Sequence, residues 1–172
     1  MSAVEFALVA PVFALILAAG TDLGLVLFAR FEINAAVSSG AAYVLAHTDM
    51  VNSESGKDLA EDTARLIAHT GTLGMSDASV VVNNGPTAEL SGSTIALGGS
   101  ALKADACYCP NSTADGFEWG AMSSCGNDCP DGGQAGKFVS VSVSRAHQPL
   151  FSGYGIVAED GTISASALVE VQ

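Results

Sequence analysis

The sequence predicts an α+β protein: a long N-terminal α-helix able to cross a membrane, a short second helix, and a mostly antiparallel β domain with a disulfide-stapled loop. Three observations carry that expectation. Residues 6–29 form an almost unbroken apolar run in which only Thr21 and Asp22 are distinctly polar. Short β-branched segments separated by Gly, Pro and Asn follow residue 77, the clearest being Lys137-Phe-Val-Ser-Val-Ser-Val-Ser-Arg145. All four cysteines fall between Cys107 and Cys129. Helices first and strands after them make the segregated arrangement rather than an alternating one.

Helical rise turns residues 6–29 into ~36 Å, enough to cross a ~30 Å hydrocarbon core with some tilt. A removed signal peptide fits poorly, because no Lys or Arg precedes the run and Leu23 to Ala29 continue it past Ala18-Ala19-Gly20. Two carboxylates mark the segment, Glu5 at its start and Asp22 inside it. An ionised Asp deep in a bilayer costs about 2.5 to 3.5 kcal/mol on insertion scales, so such a residue points to a specific partner. Pro11 removes one backbone donor from the apolar half and is expected to kink it. Beyond Arg30 the chain stays Ala-rich and free of Pro, with mixed polarity, so the helix is expected to continue to about His47.

The second helix is expected over 56–70. Ser55 and Asp58 have capping-box spacing, Glu61 and Arg65 can pair at i,i+4, and Gly71 suits the position past the end. Leu59, Thr63, Leu66, Ile67 and Thr70 share one face. Strands are expected at 78–82, 94–97, 104–109, 137–145 and 161–171, with turns at Asn84-Gly85-Pro86, Gly98-Gly99, the cysteine loop and 148–155. Val139, Val141 and Val143 alternate with Ser140, Ser142 and Ser144, which gives one buried face. The chain therefore divides at about residue 50. Residues 1–50 carry the long helix, with 6–29 in the membrane, and 51–172 form a soluble extracytoplasmic α+β domain.

Composition limits the function classes. The six basic and 18 acidic residues of the 172 give a net charge of −12. The basic residues are scattered, which excludes a phosphate-binding surface and hence nucleic acid. The same balance disfavours docking on anionic headgroups, so membrane attachment must be hydrophobic. Aromatics are few, and a thin core gains from covalent staples. For Cys107-x-Cys109 and Cys125-x3-Cys129, a four-thiolate zinc site would depart from the usual C-x2-C pairs, and a catalytic dithiol lacks its C-x-x-C. Two structural disulfides in an oxidising compartment fit better, as cross-bridges from the 104–109 strand to the loop beyond it. The connectivity stays open among three arrangements, and a Cys107–Cys109 ring would be strained. His47, His69 and His147 have no ligand-like neighbours, and Asp115, Asn127, Asp128 and Asp131 do not follow a calcium-loop order. Neither a catalytic motif nor a cofactor signature is present, so no enzyme activity and no cofactor or metal is expected.

Ser2-Ala-Val-Glu5-Phe-Ala-Leu-Val-Ala-Pro11, then Asp22-Leu-Gly24 and Phe28-Ala-Arg30, resembles the N-terminal region of TadE-like proteins, minor pilins or pseudopilins of bacterial tight-adherence (Tad) pili. The likeness is specific over residues 2–46, looser over 104–172, where Cys107-x-Cys109-Pro110, Phe138-Val-Ser-Val and Pro149-Leu-Phe151 carry it, and absent between. Glu5 and Phe6 look like the family's Glu-Phe/Tyr pair at the fifth and sixth mature positions, a register that holds if residue 1 is the mature N-terminus. The resemblance implies a pilus subunit without enzymatic activity. It would be held first in the inner membrane with its C-terminal domain outside, then built into an extracellular pilus. Its implied partners are other pilin subunits, the assembly platform, prepilin peptidase and the membrane. Assembly contacts would fall on Glu5, Phe6, Pro11, Asp22, Gly24 and Arg30, with Glu5 pairing with the α-amino group of a neighbouring subunit. The alternative is a single-pass, membrane-tethered binding or adhesion module with no filament role.

Overall fold

A computed structural model describes residues 2–70, 77–113, 116–130, 132–147 and 161–171. The expected class is found: a long helix, a short one, an antiparallel sheet and two disulfides. Helix α1 runs from Ser2 to Ala46 as one element that continues through Pro11. A 3-10 turn at Thr48–Met50 ends it, and α2 occupies Gly56–Thr70, with the bounds expected from sequence. Near the start of α2 the side-chain acceptor is Asn52, whose Oδ1 takes the backbone N–H groups of Glu54 and Ser55. Leu59, Thr63 and Ile67 face the core as their spacing predicts, joined by Ala60 and Ala64. Arg65 pairs with Glu61 on the water-facing side.

Among the described residues nine strands follow: β1 (Asp77–Val82), β2 (Pro86–Ser91), β3 (Thr94–Gly99), β4 (Cys107–Tyr108), β5 (Asn111–Thr113), β6 (Gly116–Glu118), β7 (Met122–Ser123), β8 (Phe138–Ala146) and β9 (Thr162–Glu170). Five make the main sheet in the order β3-β2-β1-β8-β9, with every neighbouring pair antiparallel. One face carries Val80, Val82, Leu90, Val139, Val141 and Val143 and packs with α1 and α2 into one core. The alternation read in β8 is thus the inner and outer face of a half-buried strand.

β2 is a strand the sequence does not mark: its first residue, Pro86, falls in an expected turn, and 87–91 carry no expected element. The β1–β2 connection is tighter than expected: Asn83 (φ 49°) and Asn84 (φ 54°) are both left-handed, and the Gly85 N–H donates to the Val82 carbonyl at 2.9 Å. That is a type I′ hairpin turn, for which asparagine is well suited. Pro86 then opens β2 at its first residue, a position a strand tolerates. Asn83 is fully buried, and its amide joins three segments. Nδ2 donates to the carbonyls of Ala104 and Ala106, and Oδ1 accepts the Phe138 N–H.

Of the expected 104–109 strand, Ala104 and Asp105 end a 3-10 helix at Ala101–Asp105, and only Cys107 and Tyr108 form β4. The segment beyond it is a knob of two small hairpin pairs, β4 with β7 and β5 with β6. Its centre is Cys107, Cys109 and Ala135, and Trp119 meets Tyr108 and Phe117 edge-on at 5.9 and 5.2 Å between ring centres. The expected turn at 148–155 and the residues Asp115 and Asp131 lie outside the described residues.

Two bonds tie the 51–53 connection to the knob side: Lys137 Nζ donates to the Val51 carbonyl, and the Ser53 N–H donates to Asp105 Oδ1, both at 2.9 Å. The Asp105 carboxyl is held below the ordinary aspartate range, by the Ser53 hydroxyl first, its backbone N–H second, and then the Lys137 charge. A carboxyl with a depressed folded pKa favours the folded state above its unfolded value and loses that contribution as pH falls through the folded one. Acidification below about pH 4 should therefore speed hydrogen exchange at the Ser53 amide relative to Asn83, and Asp105→Asn should remove that pH dependence.

Candidate assembly helix

Helix α1 has two halves with different surroundings. From Phe6 to Thr21 its large side chains are exposed all round, among them Phe6 (72%), Leu8 (73%), Val12, Phe13 and Ile16. From residue 22 a buried stripe begins: Asp22, Val26, Ala29, Ile33, Ala36, Val37, Gly40 and Val44. Steps of three and four place these on one helical face, and that face lies against α2, β8 and β9. The opposite face remains apolar and exposed at Leu25, Phe28, Phe31 and Leu45. Helix α1 is long and apolar enough to cross a membrane, but from Val26 onward one side of it belongs to the domain core.

A close approach lies at Gly40. A Cβ there would stand 3.2 Å from both Ile67 Cδ1 and Val141 Cγ1, so glycine lets α1 meet α2 and the sheet together. Eight residues earlier, Glu32 Oε2 accepts from Arg145 Nη1 at 3.2 Å, a mostly covered pair fixing the end of β8 to the helix. Neither position was singled out in the sequence. The only available signal was an opposite charge pair 113 residues apart, which no local pattern marks.

The expected assembly residues are distributed along this helix and do not converge. Glu5 lies in its first turn, with its side chain outside the described atoms. Phe6 is exposed, and Pro11 sits within the unbroken helix. Asp22 is 2% exposed, and it has an interaction within its own chain. Any contact of this carboxylate with a second protein would first require uncovering it. Gly24 has open space around the position of a Cβ. Arg30 is exposed and lines a cavity of about 230 Å³ with Ile33, Asn34 and the Ile163–Ser166 part of β9.

The cysteines form two crossed staples, Cys107–Cys125 and Cys109–Cys129, with Cα separations of 5.1 and 5.6 Å. Both tie β4 to the following loop. Among the described residues no group of three or more His, Cys, Asp or Glu side chains is placed to hold a metal ion.

The two glycines separate the roles of the helix halves. Gly40→Leu should overpack the junction and lower domain stability by about 1–3 kcal/mol in a denaturant titration. Gly24→Leu, which meets open space, should leave it unchanged within about 0.5 kcal/mol.

Residues 1–42 match the family model described as TadE-like protein, so the match ends within the buried stripe of α1. No curated protein and no solved structure matches the chain. The resemblance read from Glu5-Phe6, Pro11 and Asp22 is therefore met by the family comparison: the first 42 residues of the chain are similar to TadE-like proteins.

Proposed function

We propose that the protein is a structural subunit of a Tad-type pilus, a minor pilin or assembly initiator, held in the inner membrane before it enters an extracellular filament. The observation that carries this reading is the all-round apolar exposure of residues 6–21 on a helix whose remainder is rooted in a folded domain. Lipid satisfies such a segment before assembly, and the helices of sister subunits satisfy it afterwards. The TadE-like match over 1–42 supports the same reading. Other pilin subunits, the assembly platform and prepilin peptidase are the proposed partners. The role is structural rather than catalytic.

In this reading Glu5 pairs with the α-amino group of an adjacent subunit. A carboxylate near an apolar helix end is stabilised there only by a cation, and a neighbour's N-terminus supplies one. Glu5→Ala should leave membrane insertion and domain folding intact and abolish incorporation into purified filaments. Wild-type incorporation of that variant would refute the pairing.

The tethered binding module is kept as a second reading because the domain's own core and staples do not involve residues 2–21. Replacing residues 2–21 by an unrelated transmembrane helix spares the buried stripe and tests the two. Loss of piliation with a folded domain favours the pilin. Activity surviving the replacement favours the tether.

A further inference from the structure

The outer face of the five-stranded sheet, opposite α1 and α2, is surfaced by serine where it is most hollow. In β8 and β9 the outward residues are Ser142 and Ser144, facing Ser166 and Ser164 across the ladder. In β1, Ser79 lies opposite Ser142, and Asp77 lies opposite Ser144. In β2, Glu89 lies opposite Ser79, and Ser91 completes the array. Two outward side chains from each of four strands thus form two rows, bordering a hollow of about 660 Å³.

Nothing in the folding of the sheet asks for this composition. Threonine is the polar residue that favours strands, whereas serine is not among the strand-enriched types and adds little packing. Because serine stops at Oγ, the described side chains bordering the hollow leave it open. Its volume falls within the range of about 300–1,000 Å³ usual for ligand sites.

The chemistry of the floor selects an occupant. Hydroxyls recur about every 4.8 Å across the strands and about 6.7 Å along them; Ser142 Oγ donates to the Ser79 carbonyl at 3.3 Å and keeps its acceptor side for a ligand. Asp77 and Glu89 sit on neighbouring strands as diagonal neighbours, about 7–8 Å apart at the backbone; no Lys or Arg is among the described residues lining the hollow, and Arg30 meets Ser164 and Ser166 in a separate cavity. A phosphate or uronate would meet two carboxylates, and a purely apolar segment, although Ala78, Leu90, Val143 and Ala165 also line the floor, would leave the serine hydroxyls and both carboxylates unpaired. A second copy of the chain would bring the same two carboxylates and the same −12 charge. A polyhydroxylated chain carrying an ammonium group complements both halves of the array.

We propose that this face binds a glycan containing unacetylated amino sugars, with ring hydroxyls over the serine rows and a protonated amine between Asp77 and Glu89. The proposal holds whether the protein is a pilin or a tethered module, and a failure of either leaves the other standing.

The test uses the full chain in detergent micelles, titrated calorimetrically with a β-1,4-linked glucosamine tetramer and with its fully N-acetylated counterpart. The glucosamine tetramer should bind, and the acetylated one at least about tenfold more weakly, since acetylation removes the charge-assisted hydrogen bonds. D77N/E89Q should also lose at least about tenfold for the glucosamine tetramer. S142Q/S166Q, which fills the hollow with polar side chains, should lose binding of both. Circular dichroism and intact disulfides check that the variants fold. Absence of binding, equal affinity for the two tetramers, or undiminished binding by either variant overturns the proposal. So does a concentration-dependent dimer that S142Q/S166Q dissolves, which would assign the face to a second copy.

Discussion

One helix must satisfy two surroundings, and the rest of the molecule is arranged around that constraint. Along its first half α1 offers apolar side chains in every direction, as only lipid or other apolar helices can accommodate. Along its second half one stripe closes the domain core, and the helix cannot leave without uncovering Val26, Ile33, Val37 and Val44. Burying side chains of this kind contributes about 1.5–3 kcal/mol each. The domain is therefore attached to the helix by its own hydrophobic core, and forces on the helix pass directly into the sheet. Gly40 and the Glu32–Arg145 pair set the distance and register of that junction.

A different economy holds the far end of the molecule. The knob after β3 has strands of only two or three residues and a buried centre of cysteines and one alanine. So little apolar area cannot offset the ordering of that chain. Two staples spanning 18 and 20 residues restrict its unfolded state instead. Asn83 then joins the knob to the sheet by satisfying carbonyls at Ala104 and Ala106 that the short strands leave over.

Legibility followed how local each determinant was. Helix α2 was readable to its end residues because its apolar face and its Glu61–Arg65 pair lie within two turns of one another. β8 and β9 were readable from alternation. β2 was not, because Pro86 reads as a turn and Thr87-Ala-Glu-Leu90 lacks the β-branched density of its neighbours. The buried stripe of α1 was hidden for a different reason. When nearly every residue of a helix is apolar, the face that meets protein and the face that meets lipid carry the same signal. The serine surface stood in plain sight in β8, but its continuation across β1, β2 and β9 depends on long-range register.

The stripe also changes how the two carboxylates of the helix are to be understood. From Ser2 to Thr21 there are twenty residues, ~30 Å of helix, which already matches a hydrocarbon core without help from residues 22–29. Asp22 follows directly and is enclosed by its own chain. An enclosed, partnered carboxylate avoids the cost of facing lipid, and its place at the head of the stripe marks where the domain begins. Thr21, next to it, turns its hydroxyl back to the carbonyls of Leu17 and Ala18, so this polar group too is satisfied within the helix. The apolar half thus ends in two polar residues that need no outside partner. In the pilin reading the demand for an external cation falls on Glu5, 17 residues before Asp22 at the head of the buried stripe and 21 before Val26. Distance makes that demand testable by itself: a neutral residue at position 5 removes a charge from the far end of the rod without disturbing a core that starts about 25 Å away along the helix.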